Sequence, residues 1–480
     1  MNPPSVEPHL FVIMGASGDL TKRKLLPALY EMITRQGLGD DCRILGVSGS
    51  PYDDDSFRVA AREALEDAGY SDADLGAWCD RSLHYESARG EFGAVADRIE
   101  ALEAEYGLPG NRVLYLALPP KAFPPAIEGL GKAGLNAGPG WTRLVVEKPF
   151  GRDLDSARDL NALVHAHFDE EQVYRIDHYL GKETVQNLLV FRFANALFES
   201  SWNRDRVKSV QITVSEDQGI GTRAGYYEDA GALRDMVQNH LTQVFTLIAM
   251  EPPVAFEAQA IRDEKVKVLR SITKIDEDAV VFGRYTAGEI DGESVPGYHE
   301  EAGVAADSTT ETFVALRLDV DNWRWQGIPF YLRSGKRLPR RLTQIVVTFR
   351  DTPVYFFTKA GSDEVRSNKL VITLQPDEGF RLFFNVKAPE DQVRLETRPF
   401  HFSYREAFGE LPGAYETLIF DVLTGDQTLF VRGDEVEESW RLFTPLLDAK
   451  PDFHTYEAGT WGPEAADLLA LRDGNTWSVY

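Results

Sequence analysis

Within residues 175–183, RIDHYLGKE, an acid, an imidazole, a phenol and an ammonium fall in six positions, Asp177 to Lys182. If the stretch is helical, His178 and Lys182 stand four apart on one face, with Tyr179 and Glu183 beside them. Two cationic or proton-donating groups on one face suit a phosphate dianion, whose oxygens accept hydrogen bonds from both. The adjoining Asp177 has the chemistry to orient another imidazole or to bind a sugar hydroxyl. The plainer account is a solvated polar helix face, because charge runs are usually surface. What weighs against that account lies elsewhere in the chain.

Three other places carry chemistry. Gly15-Ala16-Ser17-Gly18-Asp19-Leu20-Thr21 follows an apolar run and opens a helical pattern. Glycines there let the backbone approach a pyrophosphate, and a helix N-terminus supplies free N–H groups. The G-x-x-G spacing departs from G-x-G-x-x-G, and a plain strand-to-helix turn uses similar residues. Glu147-Lys148-Pro149-Phe150-Gly151 follows another apolar run, where a lysine reaches a substrate hydroxyl or the nicotinamide, or merely ends the strand. Pro149 sits in a tight turn, though only about 5–6% of X-Pro bonds are cis. Between Ala232 and Met250, Leu233, Val237, His240, Val244 and Ile248 form an apolar helical stripe that includes the imidazole. A histidine so placed is commonly a satisfied core residue. Asp235 and Asn239 on the adjoining face add a polar seam, and a partly buried neutral imidazole with a carboxylate partner suits a general base.

These residues need a scaffold. Leu10–Met14, Ile44–Val47, Val113–Leu118 and Arg143–Val146 are short apolar runs that alternate with helical patterns at Thr21–Thr34, Asp54–Ala68 and Phe92–Tyr106. That alternation predicts a parallel sheet with right-handed crossovers. After about residue 200 the texture changes to alternating strands, at Ser209–Val214, Glu311–Leu318 and Lys369–Leu374. The last leads through Pro376-Asp377-Glu378-Gly379 into Phe380–Val386, a hairpin with turn chemistry at its tip. The expected architecture is a Rossmann-type α/β domain over 1–180, then an α+β domain over 181–480 with a large, mostly antiparallel sheet that also offers a dimer surface.

The chain has 480 residues, too many for one ordinary core, with 43% apolar and 26% charged residues and a net charge of −25. That charge disfavours nucleic acid and anionic membrane, so an anionic ligand must be met by local basic clusters. Cys42 and Cys79 make no disulfide framework or metal spacing, and no metal is expected. With no signal pattern and no run of 18 apolar residues, the chain is expected to be cytoplasmic.

GASGDLTKRKLLPALY, EKPFG, RIDHYLGKE, DMVQNHLTQ, LRSGKRL near residue 335 and AYETLIFD near 415 resemble, in order and over nearly the whole chain, the glucose-6-phosphate dehydrogenase family. The resemblance implies oxidation of glucose 6-phosphate at C1 to 6-phosphoglucono-1,5-lactone, with hydride passing to NADP. It implies His240 as general base and Asp177 as the carboxylate orienting it. It assigns His178, Tyr179 and Lys182 to the 6-phosphate, with Tyr415 reaching toward it. Lys148, Glu216, Asp235 and Lys336 would hold ring hydroxyls or support the reacting end, and Arg341 adds a cation where some members have Lys. Gly15, Ser17, Gly18, Asp19, Leu20, Ser48 and Lys148 would contact the cofactor. A homodimer or homotetramer is the expected assembly. Many members carry Arg at the position of Gly49 to bind the NADP 2′-phosphate. Here neither that Arg nor an NAD-type acid stands at Ser48-Gly49-Ser50, and Asp53–Asp55 look like a helix start, so NAD use stays open.

Two other classes compete. A catalytically silent homologue acting as a regulatory subunit would be signalled by loss of His240, Asp177 or Lys182, and all three are present. A related sugar oxidoreductase sharing a Rossmann domain and an EKP turn would leave the cluster at 178–182 unexplained.

Overall fold

A computed structural model of the chain describes residues 6–34, 42–71, 73–90, 92–353, 367–389, 395–449 and 453–480. It packs as two compact units: Met1–Gly181 with Ala255–Arg262 and Pro412–Glu437, and Lys182–Val254 with Asp263–Leu411 and Glu438–Tyr480.

In the first unit, β1 (His9–Met14), β2 (Cys42–Ser48), β3 (Leu83–Ser87), β4 (Arg112–Leu116), β5 (Thr142–Val146) and β6 (Val173–Ile176) lie parallel in the order β3-β2-β1-β4-β5-β6. This is the doubly wound order of dinucleotide-binding sheets, with its switch point between β1 and β4. A two-residue strand, Phe430–Val431, adds antiparallel to β6. Every residue of β1 and β4 is buried, which is why, after His9 and Arg112 at their starts, their sequences are continuously apolar rather than alternating. The helix Asp54–Asp67 starts at Asp53, whose carboxylate accepts the Ser56 N–H in a capping box, as the acidic triplet suggested.

Among the described residues, the second unit is built on a nine-stranded sheet. Its strands follow the order Leu395–Ser403, Gly379–Lys387, Lys369–Gln375, Leu342–Phe349, Val207–Ser215, Pro329–Gly335, Phe313–Asp319, Val280–Thr286 and Phe453–Glu457. Among the described residues, only the pairings of Pro329–Gly335 with Val207–Ser215 and of Phe453–Glu457 with Val280–Thr286 are parallel. The hairpin expected from 369 to 386 forms, with Gln375–Pro376 cis at its turn.

Two local expectations change. Residues 177–182 are a turn at the end of β6, and a helix begins only at Glu183, so His178 and Lys182 do not share a helical face. The Asp177 side chain explains the turn: its Oδ1 accepts the Tyr179 N–H at 2.9 Å, an Asx turn that competes with helix, while its carbonyl accepts Leu180 N–H at 2.9 Å. Between Ala232 and Met250 the expected stripe is buried, but the helix is wide, a π-helix over Leu233–Leu241 followed by an α-helix over Thr242–Ala249. Apart from Arg234 and Asp235, every residue from Leu233 to Ala249 is buried, so the 3.6-residue stripe is not what singles out His240.

Candidate active site and dinucleotide cradle

In the first unit the glycine turn leaves β1 beside the switch point. Gly15 has φ +95°, and a Cβ on it would lie 2.2 Å from the Ala117 carbonyl oxygen just past β4, so only glycine fits. Its N–H and that of Ala16 donate to the Val47 carbonyl at 2.7 and 3.2 Å, which pins the turn to β2. Ser48 and Ser50 each donate to the Ser17 hydroxyl at 3.0 Å, and the Tyr85 hydroxyl lies 2.6 Å from that of Ser48. Gly18 donates to Gly15 across the turn, and Leu20 is half-buried beyond it. Asp19 lies exposed in an ion pair with Arg23 at 2.9 Å. The cradle and its hydroxyls fit a dinucleotide phosphate and ribose.

At the end of β5, Lys148 is half-buried and precedes a cis Pro149. Beside it Glu147 is buried and accepts from the hydroxyls of Tyr115 at 2.6 Å and Tyr415 at 3.2 Å. Burial raises its pKa above the ordinary carboxylate range, while the two phenols and Lys148 pull the other way. Nothing in the sequence distinguishes Tyr115, a tyrosine inside a buried apolar strand. Tyr415, expected near a phosphate, has its hydroxyl on Glu147. At the end of β6, Asp177 is 2% exposed and Tyr179 is buried, with the His178 ring set edge-on to it at 5.1 Å. Gly181 lets this turn pack closely, since a Cβ there would meet the Ala414 carbonyl oxygen at 2.5 Å.

In the second unit Lys182 precedes the helix Glu183–Phe193, and its ammonium donates to Gln375 Oε1 at 2.6 Å. Arg341 donates to the same oxygen at 3.4 Å, so two cations converge on one acceptor. Gln375 carried no signal in the sequence; only the strand pairing places it there. The buried Lys336 donates to Glu216 at 2.6 Å, and its ammonium lies 5.1 Å from the centre of the Tyr227 ring. Burial first, then the charges of Asp235, Glu311 and Glu216, push the Tyr227 phenol well above its usual range, so it stays a neutral donor. Asp235 accepts from the Tyr226 hydroxyl at 3.1 Å. His240 is 1% exposed on the wide helix, and its own N–H donates to the Asn239 side-chain oxygen at 2.6 Å.

That helix is held at its start by Glu311. The Leu233 N–H donates to Glu311 Oε1 at 3.0 Å, and the Ala232 N–H donates to the Glu311 carbonyl at 3.0 Å. The preceding Gly231 has φ +64°, and a Cβ on it would lie 2.3 Å from the same Oε1. In the sequence Glu311 stands only at the start of a strand. A cap supplied from 78 residues away leaves no local pattern.

A doubly wound dinucleotide cradle followed by a unit that gathers buried and half-buried polar side chains beside a large sheet defines a two-domain NAD(P)-dependent oxidoreductase. Residues 12–187 match the model of the glucose-6-phosphate dehydrogenase NAD binding domain, and residues 189–478 that of the glucose-6-phosphate dehydrogenase C-terminal domain. The chain belongs to the glucose-6-phosphate dehydrogenase family, oxidoreductases whose usual cofactor is NADP. It is 46% identical over 480 residues to a glucose-6-phosphate 1-dehydrogenase of Aggregatibacter actinomycetemcomitans, covering 97% of this chain and 96% of that protein. A solved glucose-6-phosphate dehydrogenase in complex with its substrate glucose 6-phosphate superposes with a TM-score of 0.91 at 36% identity, covering 100% of both chains. The enzyme from Mycobacterium avium gives 0.85 at 37%, covering 99% of this chain and 100% of that one.

Proposed function

We propose that the chain oxidises glucose 6-phosphate at C1 to 6-phosphoglucono-1,5-lactone with NADP, the first step of the oxidative pentose phosphate pathway. The observation that carries this is the full-length likeness to the substrate-bound dehydrogenase. His240 takes the proton from the C1 hydroxyl, and Asp177 orients the imidazole and stabilises its protonated form. The burial of both residues supports these roles, because charge forming on the imidazole in a low-dielectric setting gains most from a carboxylate partner. Gly15, Ser17, Gly18, Asp19, Leu20, Ser48 and Lys148 would hold NADP, whose nicotinamide would supply the two-electron acceptor.

Lys336, Glu216 and Asp235 hold ring hydroxyls, for which the Lys336–Glu216 pair offers a donor and an acceptor side by side. Lys148 steadies the reacting end. His178, Tyr179, Lys182 and Arg341 bind the 6-phosphate. The convergence of Lys182 and Arg341 on Gln375 supports this, since a dianion is a better partner for two cations than one amide oxygen. On this reading residues 1–180 serve the dinucleotide, and 181–480 serve substrate binding and assembly as a homodimer or homotetramer. The free, buried Cys42 and Cys79 suit the reducing cytoplasm. Among the described residues no helix is long and apolar enough to cross a membrane.

Initial rates test the substrate. Lys182→Ala should raise KM for glucose 6-phosphate about tenfold to hundredfold while leaving the weak turnover of free glucose unchanged. An equal effect on the two sugars would remove Lys182 from the phosphate.

A further inference from the structure

The end of β2 is where a doubly wound fold meets the adenosine ribose of its dinucleotide. An acid there holds the 2′-hydroxyl of NAD, and an arginine nearby accommodates the 2′-phosphate of NADP. Residues 48–50 supply neither, and the acids that follow are committed elsewhere. Asp53 caps its helix through Ser56. Asp54 accepts the Tyr85 N–H at 2.7 Å and pairs with Arg98 at 2.8 Å, and Asp55 pairs with Arg58 at 3.2 Å.

The loop after β3 fills the vacancy. It is laced along the tip of β2: Ala88 N–H donates to the Ser48 carbonyl at 3.0 Å, Ser87 Oγ to that of Ser50 at 3.1 Å, and Arg89 Nε to that of Gly49 at 3.2 Å. The Arg89 stem lies over Gly49, where a Cβ at 49 would sit 3.3 Å from the Arg89 Cγ. An arginine from the neighbouring loop thus occupies the space that a side chain on residue 49 would enter. Its Nε is used on the Gly49 carbonyl, and its two terminal nitrogens have no hydrogen-bond partner among the described residues. The hydroxyls of Ser17, Ser48 and Ser50 cluster at the same strand end. In a chain of net charge −25, a phosphate there needs such a local cation.

We propose that Arg89 reads the 2′-phosphate of NADP and makes this chain selective for NADP over NAD. The missing charge at position 49 is supplied in space rather than in sequence. A guanidinium held by its Nε presents its remaining N–H groups as a fork, the geometry that suits a phosphate. The inference rests on the dinucleotide reading of the first unit.

Calorimetric titration of the cofactor-free protein with NADP and with NAD tests it, beside thermal melts. Arg89→Ala should weaken NADP about tenfold to hundredfold, flatten the salt dependence of its binding and leave NAD unchanged. Arg89→Lys should fall between wild type and Arg89→Ala. Adding Gly49→Arg to Arg89→Ala, where the crowding stem is gone, should recover much of the NADP affinity. Unchanged NADP binding in Arg89→Ala overturns the proposal. So does an equal loss for both cofactors with a lowered melting temperature, which would make Arg89 a strut of the loop. Failure of the wild-type protein to bind either cofactor would instead overturn the dinucleotide reading itself.

Discussion

At the scale of single residues, the acid, imidazole and ammonium of 177–182 were visible as chemistry before any fold was known. Their geometry was not. The Asp177 side chain closes an Asx turn and stops the helix on which a shared face for His178 and Lys182 depended. The same stretch therefore ends one unit and begins the other. For the proposed base, His240→Asn should lower kcat by about 10²–10⁴-fold with little change in KM, because proton abstraction counts in the transition state and not in binding. Steady-state kinetics over a range of glucose 6-phosphate decide it, and wild-type turnover in the variant would leave the base elsewhere.

At the scale of elements, the helix carrying His240 and Asp235 depends on a distant carboxylate. Glu311 satisfies the first N–H of the wide helix, and Gly231 turns the chain there at a φ that other residues avoid. Removing the acceptor with Glu311→Ala leaves a buried N–H without its partner, at a cost of about 1–3 kcal/mol. Glu311→Gln keeps an oxygen in place and removes the charge. Burial raises the Glu311 pKa above its ordinary 4.5, so the folded state keeps its proton longer than the unfolded chain. The protein therefore loses stability from this group as pH rises from the ordinary value through the folded one. Glu311→Gln should melt close to wild type at acid pH and gain on it as pH climbs toward neutrality. A constant difference across pH would show that Glu311 does not titrate in that range. None of this was legible in the sequence, because a cap that arrives from another strand obeys no spacing rule.

At the scale of the whole molecule, the large sheet ends among the described residues in the strand Leu395–Ser403, which presents aromatic surface. Phe400 is 67% exposed and stacks on Phe384 at 4.2 Å, and Phe408 beyond it is 69% exposed. Exposed aromatic surface on a sheet edge is costly in a free monomer and supports the expected self-assembly. Light scattering should give two or four times the chain mass of 53.8 kDa, and Phe400→Asp should shift it toward one. An unchanged mass would move the contact to another face.

By itself the sequence determined the alternating parallel-sheet half, the antiparallel half, the glycine cradle and the family. Each rests on local periodicity or on residue types at short spacing, which the chain carries in order. Only the tertiary structure decided what depends on contacts between distant positions. It joined Lys182 and Arg341 through Gln375, set Tyr115 and Tyr415 on Glu147, and capped the His240 helix with Glu311. It also laid Arg89 over Gly49, forty residues away. Position 49 looks empty along the chain because a charge acts through space, and the folded loop brings one there that sequence order separates.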